Sequence, residues 1–216
     1  MIDELTIEQI NPQLLDEYLE KGWRHFGTYF FRYILSVHNN QYCIVVPLRI
    51  RLENYTLTKS QRKLMKKNEG FRHEIKPIEI DEERILLFER HKKKFKSTAP
   101  VSIYEFLSYE NPAWVPCEGK ELDVYDEDKL IAVSFFDVSE KGISSIYGMF
   151  DLDYSDRRLG IYTMLLEVEY AIQLKKTYYY HGYSYNISSF YDYKKRFNGL
   201  EAFDWRVWKP MERLKE

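Results

Sequence analysis

The sequence predicts an α/β protein in which a mixed central sheet is flanked by helices, organised as a single domain over residues 1–216. Three observations predict it. Segments whose apolar residues alternate, as in a half-buried strand, are interleaved with segments whose apolar residues recur at helical spacing. A strand, a charged turn, a long apolar helix and a second strand follow one another between Ile143 and Tyr185, the order of a βαβ unit. Only 9 glycines and 7 prolines in 216 residues leave little composition for a disordered linker.

The elements follow in order. "NPQLLDEYLEKGW" has the pattern of a short amphipathic helix. "TYFFRYILSVHNNQYCIVVPLRIRL" reads as two strands, residues 28–37 and 41–52, joined at Asn39 and Asn40, residue types that favour a tight hairpin turn. "TLTKSQRKLMKKNE" places Thr58 as an N-cap before good helix formers, with Leu64 and Met65 inward and the basic residues exposed. "DEERILLFERHKKKF" predicts a second helix with Ile85, Leu86 and Phe88 inward, and "VSIYEFLS" a short third one. Residues 121–125, 129–137 and 143–151 are β-rich and separated by "DED" and "EKG" turns, a three-stranded meander. A helix over 159–175, an aromatic strand "TYYYHGYSY", a helix "SSFYDYKKRF" and a last strand "FDWRVWKP" close the chain. Residues 1–115 thus hold the hairpin and a basic helical region, and 116–216 the βαβ core.

The formal net charge is only -2, but the charges are segregated. Lys59, Arg62, Lys63, Lys66, Lys67, Arg72 and Lys76 stand against Glu69 and Glu74 alone, and "RHKKKFK" follows from Arg90, whereas acids collect in "EGKELDVYDEDK". Such segregation makes a positive face on a nearly neutral protein and points to a polyanionic partner. No run of ~18 apolar residues and no basic leader with an apolar stretch occurs, so the expected location is the cytoplasm, without membrane contact. Cys43 and Cys117 lack CxxC spacing, so buried thiols, with no metal and no cofactor, are expected.

Arg157, Arg158 and Gly160 stand at the mouth of the long helix, where unpaired N–H groups and the positive end of the macrodipole suit an anion. Tyr178, Tyr179, Tyr180, Tyr183, Tyr185, Tyr191 and Tyr193 crowd the segment after it. Alternation sends Tyr178 and Tyr180 to one face of a strand and Tyr179 to the other, so some pack the core. The rest could stack against unpaired bases. His181, inside that strand, reads as a packed polar residue.

The meander, the R-x-x-G of Arg157 and Gly160 opening a long helix, and the aromatic strand resemble the acyltransferase fold of the GNAT superfamily. "GWRHFGTYFFR", "VPLRIRLENYTLTKSQRKLMKKN", "SSIYGMFDLDYSDRRLGIYTMLLEVEYA", "YYYHGYSY" and "YDYKKRFNGLEAFDWRVW" resemble, in order and spacing, the C-terminal domain of the aminoacyl-tRNA-protein transferases, the arginyl and bacterial leucyl enzymes of the N-degron pathway. The resemblance spans residues 22–208. It implies a GNAT-like mixed sheet and transfer of arginine or leucine from aminoacyl-tRNA, the co-substrate, to the N-terminal amine of proteins whose first residue is acidic. On that reading Lys59, Arg62, Lys63, Lys66 and Lys67 track tRNA phosphates, and Arg157, Arg158 and Gly160 face its acceptor end. Arg24 and Arg49 supply cations for the acidic acceptor residue. Asp151 and Asp153, which match the family's "FYDPD" except that Leu152 replaces proline, hold or deprotonate the incoming ammonium, with Tyr147 or Tyr183 as the other candidates. The family's cysteine cluster is reduced here to Cys43, so no iron-sulfur or zinc role carries over from it. An acyl-CoA-dependent N-acetyltransferase and a non-catalytic tRNA-binding relative are the alternatives.

Overall fold

The computed structural model describes residues 2–95 and 99–214. In chain order its elements are β1 (Ile2–Thr6), α1 (Pro12–Glu20), β2 (Arg24–Phe26), β3 (Tyr29–Tyr33), β4 (Leu35–His38), β5 (Gln41–Arg51), α2 (Lys59–Lys67), β6 (Arg72–Pro77), α3 (Glu82–His91), β7 (Gly119–Asp126), β8 (Lys129–Val138), β9 (Gly142–Phe150), α4 (Leu159–Gln173), β10 (Tyr178–Tyr185), β11 (Leu200–Phe203) and β12 (Trp208–Pro210). Local chemistry accounts for the helix starts. The Asn11 side chain accepts from the Leu14 N–H ahead of Pro12 in α1, Thr58 and Gln61 form a reciprocal capping box on α2, and Asp81 caps α3 through the Arg84 N–H.

Nine strands form one mixed sheet in the order β12-β11-β5-β10-β9-β8-β7-β6, with β4 on the outer part of β5. The meander β7–β8–β9 and the unit β9–α4–β10 appear where the sequence places them, and β9 and β10 are parallel neighbours. β5 lies between β11 and β10, so a strand from the first half of the chain is built into the second half's sheet. α4, with α2 against it, covers one face over a core that includes Ile50, Leu122, Phe136, Leu165 and Tyr179. α3 covers the other face over Leu87, Phe88, Phe135 and Met149. α1 and a three-stranded sheet of order β1-β3-β2 complete that side, where Leu15, Leu19, Trp23, Phe30 and Tyr180 pack together. Tyr179 and Tyr180 thus serve opposite faces, and the buried Tyr179, Tyr180, Tyr183 and Tyr185 belong to cores rather than to a stacking platform.

Several expectations are corrected. The strand read over 28–37 is two, because Phe30 is buried against α1 and pulls β3 into the small sheet, leaving only β4 to pair with β5 around Asn39 and Asn40. β1, β2 and β6 went unread, being short and rich in charge. α3 turns Arg84, Leu87, Phe88 and His91 inward while Ile85 and Leu86 are 42% and 49% exposed. Buried Glu121 and Asp123 draw Arg84 in and so set the rotation of the helix. "VSIYEFLS" and "SSFYDYKKRF" contain only 3-10 turns, Ile103–Glu105 and Asp192–Arg196. Within "FDWRVWKP" the expected closing strand is confined to Trp208–Pro210, β12, and residues 204–207, with Trp205 at φ 69°, are the turn that joins it to the antiparallel β11. Among the described residues no helix is long and apolar enough to cross a membrane.

Candidate active site

β9 and β10 are paired only from Gly142 to Ser144 and from Tyr178 to Tyr180. Beyond that point each carries one extra residue, Ile146 against β8 and His181 against β5. Such bulges bend strands, and the two part toward their C-terminal ends, where α4 begins. Gly182, at φ +92°, follows the bulge in β10, a backbone conformation that suits glycine.

Two cations occupy this gap. Arg24 reaches in from β2 and its guanidinium donates to the Ser145 carbonyl and, at 3.5 Å, to the Tyr180 carbonyl. Lys194, in the turn after β10, donates to the Tyr183 carbonyl at 3.2 Å. A Cβ placed on Gly182 would lie 3.0 Å from Lys194 Nζ and 3.9 Å from Arg24 Nη2, so the two charges flank the same glycine. Both are held by neutral carbonyls, and among the described residues neither has a carboxylate partner. Burial, and then the charge of Arg24, push the Lys194 ammonium down to about 7. Burial lowers Arg24 too.

Glu167 of α4 is fully buried against the sheet face beneath the gap. Tyr179 donates to its Oε2 at 2.8 Å, while Oε1 has no hydrogen-bond partner. Burial pushes this carboxyl up to about 7, against the pull of the Tyr179 hydrogen bond and the more distant Arg24. His181 stacks on Tyr179, ring centroids 5.9 Å apart, and its Nε2–H donates to the Lys194 carbonyl. Burial holds its imidazole down to about 3, so it is neutral and packed, as the sequence reading has it.

The mouth of α4 is built differently. Arg158 takes the left-handed conformation, φ 51°, and reaches the Ser60 hydroxyl at 3.5 Å. With Arg196 and Tyr193 it lines a shallow notch beside α2. Arg157 donates to the Lys67 carbonyl at 2.9 Å, Lys67 bonds Asp156 at 2.9 Å, and Asn68 bonds the Arg157 carbonyl at 3.0 Å. The turn is thereby fastened to the end of α2. Lys59, Arg62, Lys63, Lys66 and Lys67 are exposed. In the second basic run Lys92 pairs with Glu89 at 2.6 Å, and Lys96 lies outside the described residues. A Cβ on Gly160 would make only ordinary contact with Phe150, at 3.5 Å, so packing within the chain does not demand glycine there.

Other candidate residues are committed elsewhere. Asp151 accepts from the Asp153 N–H at 3.1 Å and from Lys129 at 2.8 Å, with Arg90 at 3.5 Å. These partners lie on the β8 and α3 side of β9, away from β10. Burial alone would raise its pKa, but Lys129 and the Asp153 N–H outweigh it and hold the carboxyl below its ordinary value, which makes it a cap and ion-pair partner and a poor proton acceptor. Asp153 is exposed on the same turn. Tyr147 stacks on Phe106 at 4.0 Å under α3, and burial raises its phenol. Tyr183 spends its hydroxyl on the Gly22 carbonyl at 2.7 Å. Arg49 is buried against Glu201 at 2.6 Å and sandwiched by Tyr178 and Trp208, so no fork is open to an acceptor. Arg24 alone of the candidates reaches the gap. Lys194 and Glu167 were missed, although one stands in the quoted "YDYKKRF" and the other interrupts the apolar face of "YTMLLEVEYA", where an acid is costly unless it has a use.

Residues 83–204 match the family model described as arginine-tRNA-protein transferase, C terminus. An aspartate/glutamate leucyltransferase of Campylobacter jejuni subsp. jejuni is 30% identical over 187 residues, 84% of this chain and 76% of that protein. One from Acinetobacter baylyi is 26% identical over 209 residues, 96% of this chain and 76% of that protein. Among solved structures, the GCN5-related glucosamine N-acetyltransferase region of a fungal multi-domain GH3 β-N-acetylglucosaminidase aligns with a TM-score of 0.48 at 14% identity, over 92% of this chain and 23% of that one, a likeness too slight to build on.

Proposed function

Because the chain belongs to the arginine-tRNA-protein transferase family and is an aminoacyl-tRNA-protein transferase, we propose that it moves leucine from leucyl-tRNA to the N-terminal amine of proteins that begin with aspartate or glutamate. The donor follows the names of its relatives. The acceptor rests on one observation of this chain, the carboxylate-free pair Arg24 and Lys194 at the parting of β9 and β10. An acidic first side chain supplies the anion those cations lack, and a fork plus a point charge suits a carboxylate.

The chemistry asks for positioning more than for a strong base. The ester of aminoacyl-tRNA is already activated; the acceptor nitrogen attacks its carbonyl, and the ribose oxygen leaves with a proton. Free α-amines have a pKa of about 8. A positive pocket disfavours the ammonium further, so the amine meets the ester in its reactive form. tRNA phosphates lie along the exposed Lys59, Arg62, Lys63 and Lys66 and the notch of Arg158 and Arg196. The reaction takes place in the cytoplasm, uses no cofactor beyond the charged tRNA, and leaves a leucine that marks the acceptor for N-degron turnover.

The test is to incubate the purified protein with leucyl-, arginyl- or phenylalanyl-tRNA and peptides beginning with Asp, Glu, Asn or Ala, and to weigh the products. Leucine added to the Asp and Glu peptides alone is the expected result. Arginine added instead would reassign the donor, and equal extension of the Ala peptide would sink the role given to the two cations.

A further inference from the structure

His25, Cys117 and Asp137 converge from β2, from the segment leading into β7 and from the end of β8, and are 4%, 5% and 3% exposed. His25 Nε2 lies 2.9 Å from Asp137 Oδ2, and Cys117 Sγ 3.4 Å from Asp137 Oδ1. The three donor atoms all lie within 4.8 Å of one another. The tautomer of His25 is constrained. Its Nδ1 is 2.9 Å from the Gly27 carbonyl, which can only accept, so Nδ1 carries the ring proton. A neutral ring then turns a bare Nε2 lone pair toward a carboxylate oxygen, and neither Nε2 nor Oδ2 has a hydrogen-bond partner. Something positive has to stand between them, either a proton, carried by the ring or by the Asp137 carboxyl, or a metal ion.

The donor set favours the metal. Imidazole nitrogen, thiolate sulfur and carboxylate oxygen are together a zinc set, and three protein donors leave one coordination position. A thiolate and a carboxylate carry two negative charges, which a divalent ion cancels inside a buried site. A ring N–H donated to a backbone carbonyl is how zinc-bound histidines are commonly oriented. In the proton alternative the Cys117 thiol does no more than donate its weak S–H to Asp137 Oδ1, whereas a metal uses all three donors.

We propose that His25, Cys117 and Asp137 bind one zinc ion, which fastens β2 to the main sheet beside the gap. Arg24 is the residue next to His25, so the ion sets where that guanidinium enters. The site is separate from the family's cysteine cluster, of which only Cys43 has a counterpart here, and Cys43 lies in a different cluster.

The full chain, stripped with a chelator and dialysed, is titrated with Zn2+ and with Co2+ as a spectroscopic stand-in. Expected are one equivalent of zinc by elemental analysis, a sulfur-to-cobalt charge-transfer band, and a higher melting temperature with zinc. Cys117→Ser and His25→Gln each weaken binding by roughly 100-fold or more, beyond the scale of losing an outer-shell partner, while Cys43→Ser binds as wild type. Should a variant misfold, the wild-type cobalt spectrum still decides. Substoichiometric zinc, a cobalt spectrum without sulfur charge transfer, or a His25 ring shown by 15N NMR to be doubly protonated and indifferent to zinc would each overturn the proposal.

Discussion

In the turn before α4, charges find partners close by: Arg157 on the end of α2, Lys67 on Asp156, Asp151 on Lys129 and its own turn. In the gap between β9 and β10, at the same ends of the same strands, the half-buried Arg24 and Lys194 are hydrogen-bonded to carbonyls and, among the described residues, to no carboxylate. The buried arginines elsewhere sharpen the contrast, since Arg49 meets Glu201 and Arg84 meets Glu121 and Asp123. A conspicuous charged motif can be a structural fastener, and buried charge left unbalanced is the better sign of a ligand.

Removing both unbalanced cations should have the largest effect. Arg24→Ala with Lys194→Ala is expected to lower kcat/KM for an Asp-initiated peptide by roughly 3–6 kcal/mol, two charged hydrogen-bonding groups' worth, with tRNA binding retained. Because Lys194 is pushed down to about 7, it is charged below that pH and neutral above it. The KM for acidic acceptors should therefore rise as pH climbs past about 7, and Lys194→Arg should flatten the profile. An unaltered KM in the double variant would erase the distinction between the two regions.

Glu167 probes the same neighbourhood through stability. Its carboxyl is raised from 4.5 to about 7, so the folded state holds a proton that the unfolded state releases, and wild-type stability should fall as pH rises through that window by roughly 3 kcal/mol. Glu167→Gln removes the titration. Chemical denaturation at pH 4.5 and 7.5 should show a smaller loss in the variant, and equal losses would mean that this carboxyl is not strained.

Asp151→Asn tests the fastened turn. It loses the Lys129 ion pair but retains capping ability, so about 1–2 kcal/mol of stability is expected to go while turnover stays within a few-fold. A collapse of kcat at unchanged melting temperature would return catalysis to the turn. Gly160→Ala should be smallest of all: the added methyl meets Phe150 at an ordinary 3.5 Å and alanine favours helix, so stability should move by no more than about 0.5–1 kcal/mol and activity not at all. A marked loss of tRNA binding would show that glycine is needed there.

Much of the fold was open to reading from the chain alone. The Thr58 cap, the turn at Asn39 and Asn40, the β7–β8–β9 meander and the span of α4 depend on periodicity and on hydrogen bonds between near neighbours, and the family segments lie in the same stretches. The short charged strands β1, β2 and β6 could not be read that way, because their pairing comes from the partners they meet and not from their own pattern. Arg24, Arg49, Asp151 and Lys194 look alike in sequence, as charged residues within family-like stretches. They part company only in three dimensions: Arg49 finds Glu201 152 residues away, whereas Arg24 crosses 121 and 156 residues to reach the carbonyls of Ser145 and Tyr180. Local order is decided within a few residues of chain, and the sequence determined it. Whether a charge is cancelled depends on which distant strand the fold sets beside it in a medium of low polarity, and that the tertiary structure alone decided.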